Sequence, residues 1–153
     1  MSELNKMTDS DLEKIDSNIA DVLLGAAGYL QGEDKKQPIQ IKRNGKALFT
    51  FTIEPLDEKT MEKCRRQNTK NRGRRNEEFD GNRYVAQLIY EATVEEDKKR
   101  LWKNREVWDK LNIASGADAV QAILTPAERA ELENIMLDML GFNEDLSSMI
   151  EPL

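Results

Sequence analysis

The sequence contains no histidine and a single cysteine, Cys64, among its 153 residues. Without histidine there is no imidazole general base, and neither a Ser-His-Asp triad nor a Cys-His pair can form. With one cysteine, the chain can form no internal disulfide and no thiolate zinc site. A lone thiol and the lack of an apolar leader segment predict a protein of a reducing cytoplasm.

Aromatic residues are scarce, at 6%, and no apolar run approaches the length of about 18 residues that a transmembrane helix needs. Charged residues make up 34% of the chain and hydrophobic residues 39%. This composition is polar for a globular domain but is not that of a disordered chain. The sequence therefore predicts one folded domain with its own core and no membrane span.

The net charge of −6 argues against general, charge-driven binding of nucleic acid, but the charge is unevenly placed. Residues 63–75 (KCRRQNTKNRGRR), here called the basic segment, hold seven basic residues and no acid, whereas the last 29 residues hold seven acids and only Arg129. The basic segment has no aromatic residue on which bases could stack. We interpret it as a solvated, flexible loop between helices, with an acidic protein partner and nucleic acid as the alternatives.

A β-hairpin over 39–54 is the clearest local pattern. Apolar and polar residues alternate before and after Asn44-Gly45, a pair that readily adopts the left-handed conformations of a tight turn. One face of the second strand carries Phe49, Phe51 and Ile53. Because a lone hairpin is marginal in water, this face must pack on helices.

The N-terminal region shows an amphipathic helix. Its apolar residues are Leu12, Ile15, Ile19, Val22 and Leu23, and Ser10 with Glu13 resembles a capping box. Gly25 and Gly28 are expected to end this helix, and 29–37 to form a polar connection. Two interpretations stay open, a packed surface helix and a detachable arm that docks on a partner.

The sequence after the hairpin predicts helices. Helices are expected over about 57–69, capped by Asp57, then over 82–92, over 101–111 after the charged segment 95–99, and over a short stretch after Ser115-Gly116. The last helix has the strongest start and stop signals: Thr125 as N-cap, Pro126 at the first position, Glu128 completing a capping box, and Gly141 as the C-terminal stop. Cys64 is interpreted as a core or boundary residue.

An apolar stripe runs along the last helix and includes Leu132, Ile135, Met136 and Met139. Methionine side chains adapt their shape, so a stripe of this kind suits either an ordinary core or the binding of hydrophobic partners. We predict that these four residues contact a partner, with Leu12, Ile15, Ile19 and Val22 of the N-terminal helix as a second candidate surface.

These patterns predict a mainly α fold with one β-hairpin (α+β), in which a small helical domain packs on a two-stranded antiparallel hairpin. The predicted organisation is an N-terminal amphipathic helix and linker over 1–37, a core domain over 38–142, and an acidic tail over 143–153. No carboxylate pair lies in an apolar frame, and no glycine-rich phosphate loop is present. We therefore expect no catalytic residue, no cofactor and no metal.

The order of these elements resembles a known family. The resemblance is carried by Phe49-Thr-Phe-Thr-Ile53-Glu-Pro-Leu56, Tyr84 with Leu88-Ile89, Ala92-Thr93-Val94, Val107-Trp-Asp-Lys-Leu-Asn-Ile113, Ala122-Ile-Leu124-Thr-Pro-Ala-Glu128, Leu132, Ile135 and Leu140-Gly-Phe142. Over roughly residues 36–143, the chain is similar to the phage tail assembly chaperones, specifically the XkdN-like group of prophages in Gram-positive bacteria.

The resemblance implies a non-catalytic protein of the bacterial host cytoplasm that is absent from the mature virion. Its implied partners are the tape measure protein, which it keeps soluble, and tail tube subunits, which it helps recruit. A longer frameshifted form and a homo-oligomer are left open. Two other functions also stay open at this point: a small nucleic-acid-binding regulator that uses the basic segment, and a structural tail or baseplate component.

Overall fold

A computed structural model describes residues 18–31, 36–141, 150 and 152, with the backbone alone for 28–31. The chain divides into two compact units, Met1–Gly32 and Glu33–Leu153. The first unit contains helix α1, Ile19–Gln31. The second begins with the strands β1, Gln37–Arg43, and β2, Lys46–Ile53.

Helix α1 continues through Gly25 and Gly28, so the prediction that these glycines end the helix was wrong. A glycine inside a helix costs about 1 kcal/mol relative to alanine, which weakens a helix but does not terminate it. The neighbouring Ala26 and Ala27 are strong helix formers and offset part of that cost. The predicted contact residues Leu12 and Ile15, like the Ser10-Glu13 capping box, lie outside the described residues.

The predicted hairpin is confirmed. Strands β1 and β2 pair antiparallel, with Gln37 opposite Ile53 and a register shift at Ile41/Lys42. Asn44 and Gly45 both have positive φ, 54° and 77°, as a tight turn of this kind requires. On the inner face, Phe51 and Ile53 are buried.

The helices of the second unit follow the hairpin in sequence. They are α2, Glu58–Gln67; α3, Gly81–Ala92; α4, Glu95–Asp97; α5, Arg105–Leu111; α6, Gly116–Ile123; and α7, Pro126–Met139. Two short strands, β3 (Thr69–Lys70) and β4 (Glu78–Phe79), pair antiparallel between α2 and α3. Across the described residues the fold is mainly α with one substantial hairpin, which confirms the predicted class.

The helix predicted over 101–111 is interrupted. Helix α4 continues as a π-helical turn, Lys98–Trp102, and the chain then breaks before α5. Asn104 caps α5 by accepting a hydrogen bond from the Val107 amide at 3.3 Å. Asparagine is a poor residue inside a helix but a good N-cap, and this preference explains why two helices replace the expected one.

The basic segment is a loop only in part. Its first residues complete α2, Thr69–Lys70 form β3, and only 71–77 make irregular turns. Buried Asn68 fixes its base by donating to the Cys64 carbonyl at 2.7 Å and to Gln87 Oε1 at 2.8 Å. The predicted flexible loop is therefore corrected to an exposed turn held by a short antiparallel ladder.

The core joins the hairpin to the helices around Trp102, which is fully buried. Its ring packs edge-on against Phe51 and Phe49, with centroid distances of 5.4 and 6.2 Å. Its Nε1 donates to Thr93 Oγ1 at 2.9 Å, and Thr93 Oγ1 in turn donates to the Ile89 carbonyl at 2.7 Å. The end of α3 and the π-helical turn are thus tied to the sheet through one aromatic residue.

Candidate functional site

Helix α7 carries the four residues predicted to contact a partner. Its start is as predicted, because Thr125 and Glu128 form a capping box and Pro126 occupies the first turn. Leu132 and Met136 are only 3% and 8% exposed and belong to the core, whereas Ile135 and Met139 are half-buried and pack against its edge. The stripe therefore holds α7 on the domain, and its role in partner binding stays a prediction.

A neighbouring apolar groove opens between α7 and the α2–α3 layer. Its cavity volume is about 60 Å³. Its lining residues are mostly aliphatic: Leu56, Met61, Tyr84, Leu88, Met136, Leu137 and Leu140, with Glu133 as the only charged member. Of the four contact residues predicted on α7, only Met136 lines this groove, and Met61 and Leu137 were not among the predicted contact residues.

The groove has one acidic lining residue. Glu133 lies in its lining on α7, and the exposed Glu62 lies on α2. Burial raises the pKa of Tyr84, and the negative charges of Glu133 and Glu62 raise it further, while Arg65 opposes the shift. The groove therefore combines an apolar floor with one acidic lining residue, Glu133.

Helix α1 presents a second apolar surface. Of the predicted contact residues on it, Ile19 and Val22 are exposed, with Val22 at 52%. Leu23 and Leu24 are exposed as well, and Leu24 reaches 70%. The only charged residue of α1 is Asp21. An apolar helix this exposed within its own unit is a typical docking surface for a hydrophobic partner.

The basic segment has an aromatic neighbour that its sequence does not contain. Phe79 on β4 is 42% exposed, and the Arg65 guanidinium lies 5.0 Å from the centre of its ring. An acid lies against the turn as well, because Glu77 accepts a hydrogen bond from the Gly73 amide at 3.2 Å. Acids thus lie directly against the turn, and a single aromatic ring offers little stacking surface for nucleic acid.

Two arginines, Arg43 and Arg129, link the end of α6 to its neighbours, and sequence reasoning did not identify either role. Arg43 on β1 donates to both carboxylate oxygens of Glu128, at 2.7 and 3.0 Å, and to the Ile123 carbonyl at 2.6 Å. Buried Arg129 donates to the carbonyls of Gln121 and Leu124. The one available signal was that Arg129 is the sole base of an acidic region.

Cys64 is buried in the core, and burial raises its thiol pKa to about 11. A thiol with so high a pKa carries almost no thiolate at neutral pH and is a poor nucleophile. Over 18–31 and 36–141, no group of three or more acidic or cysteine side chains is placed to hold a metal ion. These observations agree with the interpretation of Cys64 as a core residue.

A comparison with protein-family models identifies the family of the chain. The model described as phage XkdN-like tail assembly chaperone protein, TAC, matches residues 21–153. The chain belongs to this family. Neither the curated proteins nor the solved structures gave a match to the chain.

Membership confirms the resemblance drawn from the sequence and gives the general role, a phage tail assembly chaperone with protein partners in tail assembly. The matched range includes α1 from Asp21 onward, the hairpin and every helix of the second unit. It therefore covers the surfaces described above, except for Ile19 on α1. No helix in the described part of this chaperone is long and apolar enough to cross a membrane.

Proposed function

We propose that this chaperone binds the tape measure protein of its phage, keeps it soluble and helps recruit tail tube subunits. It acts without catalysis, in the cytoplasm of the bacterial host, and is absent from the mature virion. The observation that carries the proposal is the match to the tail assembly chaperone family over 21–153.

The physical properties of the chain support this function. A long helical protein exposes apolar surface that aggregates unless another protein covers it. This chaperone offers apolar surface on α1 and in the groove beside α7, while its net charge of −6 favours solubility. A protein with both apolar surface and a negative net charge can cover the apolar surface of the tape measure protein without precipitating with it.

For the contact residues, we propose the exposed apolar side chains of α1, including Ile19 and Val22, and the outer part of the α7 stripe, Ile135 and Met139. Leu132 and Met136 contribute by fixing the position of α7, since both are buried. Leu12 and Ile15 continue the α1 pattern toward the N-terminus and belong to the same proposed surface.

The test is co-expression of the tape measure protein with a tagged chaperone, followed by capture with and without nuclease and mass spectrometry. We expect the tape measure protein to be soluble only with the chaperone, and capture to survive nuclease. A Val22→Asp variant should reduce capture, whereas Asn134→Asp, an exposed change on α7, should not. An insoluble or uncaptured tape measure protein would refute the proposal.

Purified phage particles separate a chaperone from a structural component. If the protein is an assembly factor, it should be present in induced cells and missing from particles. Detection at stoichiometric amounts in purified tails would favour a tail or baseplate component. Protein partners that are lost on nuclease treatment would instead favour a nucleic-acid-binding regulator that uses the basic segment.

A further inference from the structure

The two outer edges of the hairpin differ. Strand β2 is covered, because the Thr52 amide donates to Asp97 Oδ2 at 2.8 Å and the Thr52 carbonyl accepts from the Val94 amide at 3.0 Å. The Thr50 carbonyl accepts from the Arg100 guanidinium at 2.6 Å. The backbone of these even-numbered residues of β2 therefore points away from β1 and is hydrogen-bonded to the following helical region.

Strand β1 has no such cover. Phe51 faces β1 and pairs with Ile39, and because backbone groups alternate in direction along a strand, those of Gln40 and Lys42 point outward. Among the described residues, no group accepts from the Gln40 or Lys42 amide, and no helix or strand besides β2 runs alongside β1. Strand β1 therefore presents an unpaired edge, to which an extended segment can add as a further strand.

This edge is regular and has two different faces. The register shift at Ile41/Lys42 leaves Leu48 of β2 without a partner, so the extra residue lies in β2 and β1 continues unbroken. Ile39 and Ile41 are buried against the core, whereas Gln40 and Lys42 are exposed on the opposite face. An added strand would therefore place alternate side chains at the border of the core and on the exposed face.

The charge of the β1 edge distinguishes between possible occupants. Strand β1 holds no acid, Lys42 is exposed, and so is Lys36 directly before the strand. Its other base, Arg43, is already paired with Glu128. A second copy paired through the same edge would bring four lysines together without an acid, which is a known protection against self-pairing. A strand with acids on its exposed face would instead place opposite charge beside Lys42.

We propose that the β1 edge binds an extended segment of a partner protein in which apolar residues alternate with aspartate or glutamate. The segment adds to the hairpin as a third strand and accepts hydrogen bonds from the Gln40 and Lys42 amides. Its apolar residues lie beside Ile39 and Ile41, and its acids lie on the exposed face near Lys42. The proposal goes beyond the proposed function, because it concerns a surface other than α1 and the α7 stripe.

Two labelled peptides of about nine residues, a length typical of a strand, test the proposal directly. Both carry valine at alternate positions, and they differ only in having glutamate or lysine at the positions between. By fluorescence anisotropy at about 0.05 M salt, we expect the glutamate peptide to bind at least about fivefold more tightly. Hydrogen exchange of the Gln40 and Lys42 amides, followed by NMR, should slow when this peptide is bound, because the new strand accepts from both.

Variants of the chaperone locate the site. Gln40→Pro removes an outward amide without removing a hydrogen bond between β1 and β2, and should weaken the glutamate peptide by about tenfold or more. The matched control is Gln40→Thr, which changes the same side chain but keeps the amide, and should bind within about twofold of wild type. Lys42→Glu should reverse the preference between the peptides. Lys59→Glu, the same change at an exposed position of α2, should not.

Several outcomes would overturn the proposal. These are equal binding of both peptides, binding of neither, and fast exchange of the Gln40 amide in the presence of saturating glutamate peptide. Self-association that Gln40→Pro abolishes would mean that a second copy occupies the edge. If Gln40→Pro does not fold, as judged by circular dichroism, then Lys42→Glu and the exchange of the wild-type amides decide. Capture of the tape measure protein is a separate measurement, so either proposal can fail while the other stands.

Discussion

At the scale of single residues, Glu128 has two simultaneous roles. Its carboxylate completes the N-terminal cap of α7 by accepting from the Thr125 amide at 2.8 Å, and it accepts two hydrogen bonds from Arg43 on β1. These hydrogen bonds, the one from Arg43 above all, lower the pKa of Glu128 from 4.5 to about 2. One side chain thus joins the hairpin to the last helix.

Stability should depend on pH through this residue. Because the folded pKa lies below the unfolded value, the contribution of Glu128 is complete above about pH 5 and is lost as pH falls toward 2. Glu128→Gln should cost about 1 kcal/mol at pH 7, a value limited by solvent screening at Arg43. It should also flatten the fall in stability between pH 5 and 2, as measured by urea unfolding at several pH values.

Glu131→Gln is the matched control, because it removes a carboxylate from an exposed position of the same helix. It should change the free energy of unfolding by no more than about 0.5 kcal/mol at any pH in this range. An equal effect of both variants would show that Glu128 acts through the general charge of α7 and not through Arg43.

Gly116, the first residue of α6, lies against the ring of Tyr90, and a Cβ built there would overlap that ring. Gly116→Ala should therefore destabilise the protein by about 1–3 kcal/mol, although alanine is the better helix former. The melting temperature by circular dichroism measures this. Gly25→Ala, where the new Cβ meets nothing within 4 Å, should instead leave the main transition unchanged.

At the scale of elements, the hairpin is joined to the helices by Trp102. Replacing Trp102 by phenylalanine removes the hydrogen bond to Thr93 Oγ1 and opens space beside Phe51. We expect a cost of about 2–4 kcal/mol in the free energy of unfolding. Trp108→Phe, which loses the bond to the Trp102 carbonyl at a half-buried position, should cost clearly less.

Because these are the only two tryptophans, each variant leaves one fluorophore. In Trp108→Phe the remaining Trp102 should emit at short wavelength, as expected for a fully buried ring. Equal stabilities of the two variants, or emission from Trp102 at the long wavelength of a solvent-exposed ring, would contradict the conclusion that Trp102 joins the hairpin to the helices.

Elements with local signals were predictable from the sequence. The Asn44-Gly45 turn requires positive φ, and the capping box at Thr125 satisfies backbone amides within one turn, so neither depends on distant residues. The interruption at Asn104 and the continuity of α1 through Gly25 were missed. At Asn104, the preference of asparagine for the N-cap position competes with continuation of the helix. In α1, the cost of Gly25 competes with the helix preference of Ala26 and Ala27. A pattern of apolar residues does not show which contribution dominates.

At the scale of the molecule, the groove was beyond sequence reasoning. Its floor combines Leu56 and Met61, Leu88, and residues of α7 that are far apart in the chain. The periodicity of α7 indicated an apolar stripe. It did not indicate which side of the stripe packs against the core and which side lines the groove. That division depends on how α7 packs against α3, a tertiary contact without a local signature.

The charge distribution of the whole molecule gives a final prediction. Replacing Arg72, Arg74 and Arg75 by glutamine makes a chain with net charge −6 more negative by three. These residues lie in the exposed turn between β3 and β4, so stability should change by no more than about 0.5 kcal/mol. Capture of the tape measure protein should also be unchanged, because the apolar surfaces are untouched.

Binding to a labelled RNA at physiological salt distinguishes the alternatives. We expect no specific binding by wild type, since acids flank the turn and the molecule as a whole repels phosphate. A control with Lys46, Lys59 and Lys99 replaced by glutamine removes the same charge from other exposed positions. The opposite result would be tight RNA binding that weakens steeply as salt rises and is lost only in the arginine variant. Only contacts made by the basic segment could account for both effects, so this result would make that segment the functional site.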